Sequence, residues 1–121
     1  MGYKISLNDC QEFVAGDNTF LREILHPAKK RCKNKYSLAW FRVPASKKTF
    51  KHSLTSSETY YIISGKGLMS INDKKFEVIA NDTIYIPPNA VQCIENLSDS
   101  EEIVALCIVD PAWKKEDETV Y

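Results

Sequence analysis

The chain has 121 residues, 44% hydrophobic and 26% charged, which suits one compact domain and excludes two-domain nucleotide enzymes and large barrels. Sixteen Lys and Arg balance sixteen Asp and Glu, so no global field draws it to nucleic acid or an acidic membrane surface, and the expected partner is a small molecule or a protein. Met1-Gly2-Tyr3-Lys4 opens no apolar signal segment, no apolar run nears the ~20 residues that cross a bilayer, and Cys10, Cys32, Cys93 and Cys107 form no Cys-x-x-Cys pair, which together predict a cytoplasmic chain with reduced thiols.

In chain order, residues 1–35 are the least periodic: Ser6-Leu7-Asn8-Asp9 suits a short helical turn, and Thr19 to Leu25 suits a strand or a helix. Their apolar side chains (Ile5, Leu7, Phe13, Val14, Phe20, Leu21, Ile24, Leu25) predict an N-terminal extension that packs on the barrel or on a partner copy. From residue 36 onward the chain breaks into short β-rich runs: Tyr36 to Val43, Glu58 to Ile63, Gly67 to Ile71, Lys75 to Ile79, Thr83 to Ile86, Val91 to Glu95 and Ile103 to Val109. Turn clusters separate them, among them Pro44-Ala45-Ser46, Asn72-Asp73, Asn81-Asp82 and Pro87-Pro88-Asn89. Seven such strands predict an all-β sandwich or barrel over 36–121. Asp110 before Pro111 reads as an N-cap, giving a C-terminal helical turn within Pro111 to Asp117. Charge is polarised, basic from Lys29 through Lys30, Arg31 and Arg42 to Lys51, acidic from Glu95 to Glu118. Two solvated stretches that neutralise one another account for it, with a basic rim that attracts an anion as the alternative.

Two segments carry polar, metal-competent side chains at fixed offsets within apolar strands. His52, Glu58 and Gly65 fit the pattern G(x)5HxH(x)3-4E(x)6G at its first His, its Glu and its last Gly; Pro87, Pro88 and Asn96 fit G(x)5PxG(x)2H(x)3N. With Lys66 to Ala80 as a hairpin between them, these residues resemble the two motifs of the cupin superfamily. The resemblance implies a double-stranded β-helix, or jelly-roll, barrel. Ser46, Asn81 and Asn89 occupy glycine positions of the motifs, which loops tolerate, Asn89 in a plausible left-handed conformation. Leu54 and Gln92 occupy two histidine positions, and both changes strike the metal site that the family uses.

Strand alternation puts His52 and Leu54 on one face, and Glu58, Tyr60 and Ile62 on one face of the next strand. The retained trio, His52, Glu58 and Gln92, is expected to hold a divalent ion (Mn, Fe or Zn) weakly; the competing reading is a buried hydrogen-bond network without metal. His26, if carried over the barrel mouth, would supply the ligand that Leu54 cannot, although a His before Pro is more often exposed or capping. Tyr60 and Trp40 are expected to contact substrate alongside Leu54, while most other aromatics pack. Cys93 should face away from Gln92, and Cys107, in the last apolar strand, is expected as a small buried hydrophobe, with a cavity thiol as the alternative.

The expected function is that of a small cupin binding an oxygen-bearing, if need be anionic, ligand at the ion, as an isomerase, lyase or dioxygenase in which Glu58 serves as catalytic base. The alternative is a non-catalytic binding or sensing cupin without metal. Small cupins commonly dimerise, so a two-fold homodimer is expected, with no nucleic-acid or membrane partner.

Overall fold

The computed structural model describes residues 3–29 and 32–121; Met1, Gly2, Lys30 and Arg31, named above, lie outside them. The strands, in chain order, are β1 (Glu12–Val14), β2 (Phe20–Leu25), β3 (Ser37–Val43), β4 (His52–Leu54), β5 (Ser57–Ser64), β6 (Lys66–Ile71), β7 (Lys74–Ile79), β8 (Thr83–Ile86), β9 (Gln92–Asn96), β10 (Ile103–Asp110) and β11 (Glu118–Val120). They form two antiparallel sheets, one of six strands in the order β1-β2-β3-β10-β5-β8 and one of five in the order β11-β4-β9-β6-β7. The expected all-β cupin barrel is the architecture found, and the uncertain segment at Thr19 to Leu25 is a strand paired to β3 in its own chain.

Period-two alternation decides what faces inward. Along β10 the buried residues are Ile103, Ala105, Cys107 and Val109; along β5 they are Glu58, Tyr60 and Ile62. Register stacks them in rows, with Phe41, Ala105 and Ile62 level across β3, β10 and β5, then Ala39, Cys107 and Tyr60, then Ser37, Val109 and Glu58. One end of the barrel is thus wholly apolar, packed by Val43, Ile62, Met69, Ile94 and Ile103. Each such side chain contributes roughly 1.5–3 kcal/mol on burial. Toward the other end the same strands turn polar.

The apolar end is closed by Asn96. Its Nδ2 donates to the carbonyls of Val43 (3.0 Å), Pro44 (3.2 Å) and Glu101 (2.8 Å), and its Oδ1 accepts from the Ser98 amide (2.9 Å). On the outer face Arg42 forks onto Glu12 (2.8 and 3.0 Å), lies 4.3 Å over the Phe20 ring and reaches Glu102 at 3.3 Å. This single guanidinium ties β1 and β2 to the barrel and joins the basic stretch to the acidic one.

Two local expectations change. Asp110 is the last residue of β10, paired with Ser57, so it is a strand residue rather than an N-cap, and the helical turn shrinks to Lys115–Asp117. The chain then returns as β11 against β4, a strand too short and polar to be read from its sequence. Ser46, Asn81 and Asn89 all adopt positive φ (65°, 75° and 69°), so the three motif positions keep the glycine-like backbone without the glycine. Gly65 is different: at φ 88° a Cβ would sit 2.5 Å from the Glu102 carbonyl oxygen and 2.9 Å from the Ile103 Cα. Gly65→Ala should therefore lower stability by about 2–4 kcal/mol, combining left-handed strain with backbone overlap, read as a fall in the urea midpoint with unchanged slope.

Candidate functional site

Between the sheets, at the polar end, lies a cavity of about 340 Å³. Its floor comes from β3, β4, β5 and β10 (Phe41, His52, Leu54, Glu58, Tyr60, Cys107); its walls come from the β1–β2 hairpin around Asp17 and from the C-terminal tail with Trp113 and Glu118. The tail is held in place by backbone and side-chain bonds, with the His26 Nε2 to the Trp113 carbonyl at 2.7 Å, the Trp113 amide to Ser37 Oγ at 3.0 Å, and the Thr55 amide to the Asp117 carbonyl at 3.1 Å.

His52, Glu58 and Gln92 converge, as the alternation predicts, and each is 5% exposed or less. Hydrogen bonds join Glu58 and Gln92 to each other and to Cys107 and Tyr60. Gln92 Nε2 donates to Glu58 Oε1, Tyr60 Oη donates to Gln92 Oε1 at 2.8 Å, and Cys107 Sγ donates to Glu58 Oε2 at 3.1 Å. A carboxylate accepts and cannot donate, so the amide must present its nitrogen to Glu58 and its oxygen to Tyr60. Both Glu58 oxygens are thereby engaged. Burial and the nearby Glu58 charge push the Tyr60 phenol and the Cys107 thiol well up, so both stay protonated donors and Cys107 carries no thiolate.

His52 completes the group. Its Nδ1 donates to the Phe50 carbonyl at 3.1 Å, while Nε2 makes no hydrogen bond among the described residues and lies 3.7 Å from Asp17 Oδ2 and 3.8 Å from Glu58 Oε1. Burial pulls the imidazolium down, but Glu58, Asp17 and the Phe50 carbonyl outweigh it and lift its pKa to about 9. Asp17 is itself held by Thr19, whose amide and hydroxyl both donate to Oδ1 (3.1 and 2.8 Å), which leaves Oδ2 toward His52. Glu118 lines the same space; burial raises its pKa, His52 opposes the rise, and Asp17 and Glu58 add to it.

A divalent ion in the expected trio requires an unprotonated imidazole nitrogen and an amide oxygen. Here Gln92 gives its NH2 to Glu58 and its oxygen accepts from Tyr60, Cys107 engages the second Glu58 oxygen, and Leu54 lines the cavity with hydrocarbon. Among the described residues no group of three or more His, Cys, Asp or Glu side chains is arranged to hold a metal ion. The donors as arranged do not fit Mn, Fe or Zn.

Other expected site residues separate. Leu54 lines the cavity beside His52 and Tyr60 lines it beside Glu58. Trp40 does not, because Ala39 and Phe41 take the inward positions of β3 and leave Trp40 outside under the Arg22 guanidinium, 5.6 Å from the ring centre. His26 does not line it either; its Nδ1 accepts from the Ala28 amide (3.1 Å) and its Nε2 is bound to the tail, so it anchors the wall and supplies no ligand. Cys93 lies outside the cavity, as its alternation with Gln92 requires. Asp17 and Glu118 were not singled out for the site; Cys107 lines the cavity, the alternative raised for it, as parity along β10 requires.

Residues 39–109 match the Cupin domain family, more than half of the chain, and the chain belongs to that family. An uncharacterized protein of Methanocaldococcus jannaschii is 39% identical over 115 residues, spanning 94% of this chain and 90% of its own. Among solved structures, Streptomyces Pac13, a nucleoside dehydratase seen with uridine, superposes with a TM-score of 0.78 at 21% identity over 100% of this chain and 92% of its own. The polyketide cyclase RemF from Streptomyces resistomycificus does so with 0.77 at 16% identity over 97% and 89%. At these identities the two structures establish the fold alone. No helix among the described residues is long and apolar enough to cross a membrane.

The elevated His52 pKa couples stability to pH. Stabilisation of the imidazolium by its carboxylates is complete below pH 6.5, the ordinary value, and is lost as pH rises through about 9. The melting temperature should therefore fall between pH 7 and 10, and His52→Gln should flatten that fall.

Proposed function

We propose that this cupin binds a small oxygen-bearing molecule in the cavity and moves protons on it as a lyase or isomerase, without a metal ion. The observation that carries this reading is the His52 Nε2, a buried cationic donor with no hydrogen-bond partner among the described residues, opening on the cavity beside two carboxylates. In an elimination, Asp17 would accept the proton of a C–H bond whose electrons form the new double bond, while the C–O bond breaks and His52 protonates the departing hydroxyl as water. Glu58, expected as the base, instead keeps His52 charged and oriented, because Gln92 and Cys107 occupy its oxygens. Neighbours of this fold that are a nucleoside dehydratase and a polyketide cyclase support enzymatic use of the barrel. The four free cysteines support a cytoplasmic workplace.

The test is a panel of nucleosides, sugars and phenols screened by thermal shift and by NMR of protein labelled with 15N-histidine. A binder should raise the melting temperature and shift the His52 Nε2 signal, and turnover should disappear in His52→Gln. Binders that leave this signal unmoved would refute the reading. Stabilisation of wild type by Mn, Fe(II) or Zn with displacement of the same signal would replace it with the metal-binding one.

We also propose a two-fold homodimer. Phe13 and Val14 are 48% and 58% exposed on β1, an edge strand whose free side invites another strand. Light scattering should give twice the chain mass at micromolar concentration, and Val14→Lys should shift it toward the monomer; a wild-type monomer would reject the proposal.

A further inference from the structure

The cavity is lined by four carboxylates, Asp17, Glu23, Glu58 and Glu118, of which Glu23 pairs with Lys29 at 3.8 Å, against two lining cationic groups, His52 and Lys115. Lys115 is exposed at the rim and screened by water, whereas Glu58 is 5% exposed and Asp17 sits against it across the buried imidazole. Among the described residues Glu118 makes no ion pair, and its carboxylate lies so close to Gly16 that a Cβ there would stand 2.8 Å from Oε1. His52, 2% exposed, lines the same space, its Nε2 flanked by Asp17 Oδ2 at 3.7 Å and Glu58 Oε1 at 3.8 Å and without a hydrogen bond among the described residues.

We infer that the ligand is a hydroxyl-bearing molecule without an anionic group, and that the cavity rejects its phosphorylated or carboxylated counterpart. This rests on the proposal that the cavity is a ligand site, and it excludes the anionic option that the basic stretch of the sequence suggested. A hydroxyl suits both kinds of partner, since its oxygen accepts from His52 Nε2 and its hydrogen is donated to a carboxylate. A phosphate or carboxylate satisfies only the imidazole and faces the acids as a like charge in a poorly hydrated space. The apolar surface of Phe41, Leu54 and Trp113 fits the ligand's carbon skeleton.

The charge preference can be read without knowing the ligand. Cysteine is placed in the cavity as Leu54→Cys, or on its wall as Trp113→Cys should the first fail to fold, each in a Cys107→Ser background with labelling mapped by peptide mass. Rates of modification by methanethiosulfonate reagents bearing an ammonium or a sulfonate group are normalised to free cysteine. The cationic reagent should react severalfold faster, as the excess of negative charge nearby implies, and Glu118→Gln should shrink the ratio. Equal rates, or faster reaction of the sulfonate, overturn the inference while leaving the cavity a ligand site. Labelling by neither reagent at both positions shows the cavity closed to small molecules and removes the parent proposal too. In the panel above, saturation-transfer NMR should detect neutral nucleosides or sugars and not their phosphate monoesters; monoesters binding as tightly at the His52 signal would equally overturn it.

Discussion

The register of β10 between β3 and β5 is the constraint on which the rest depends. Ala105, Cys107 and Val109 stand level with Phe41, Ala39 and Ser37 on one side and with Ile62, Tyr60 and Glu58 on the other. A slip of one residue would send this whole set outward and bring Leu106 and Ile108 in. The packed end enforces the register, because Ile62, Ile103 and Ala105 are completely enclosed there. The polar end inherits it: Glu58 meets Cys107 and Gln92 only because the apolar rows below are in step.

Placing a carboxylate, an imidazole, an amide and a phenol in one buried group is unfavourable unless each finds partners. Here the amide is the joint, since Gln92 is the one member able to donate to Glu58 while accepting from Tyr60. A histidine at this position, as in the family motif, could make both contacts only by surrendering both ring nitrogens. The exchange to Gln92 thus agrees with the exchange to Leu54, both turning a ligand set into a hydrogen-bonded floor. What the floor turns toward the cavity is the His52 Nε2, held between Asp17 and Glu58.

Much of this was legible before any coordinates. The turn clusters delimited seven of the strands to within a few residues, and motif spacing brought His52, Glu58 and Gln92 together. Two strands were not legible: β1 and β11 have three residues each, too few to show a period, and they exist because a neighbouring strand offers them a ladder, whereas β4, equally short, was marked by the motif that holds His52 and Leu54. Trp40 was misplaced because aromatic character was weighed without parity, although its neighbour Phe41 occupies the inward position. Asp17 and Glu118 reach the cavity from opposite ends of the chain, one on a hairpin and one on the final strand. Only folding brings such residues together, so no local spacing records them.

Asn96 gathers the strand ends at the apolar pole with one side chain, on the side of the barrel away from the cavity. The parts that enclose the cavity, namely the first hairpin and the tail after Ala112, contribute nothing to that knot. Closure and recognition are therefore separable inheritances. A lineage can rewrite both walls, by insertion, recruitment of a new tail or exchange of charge, while one amide keeps the vessel sealed beneath them. A barrel of this size can thus change what it holds far faster than how it is built.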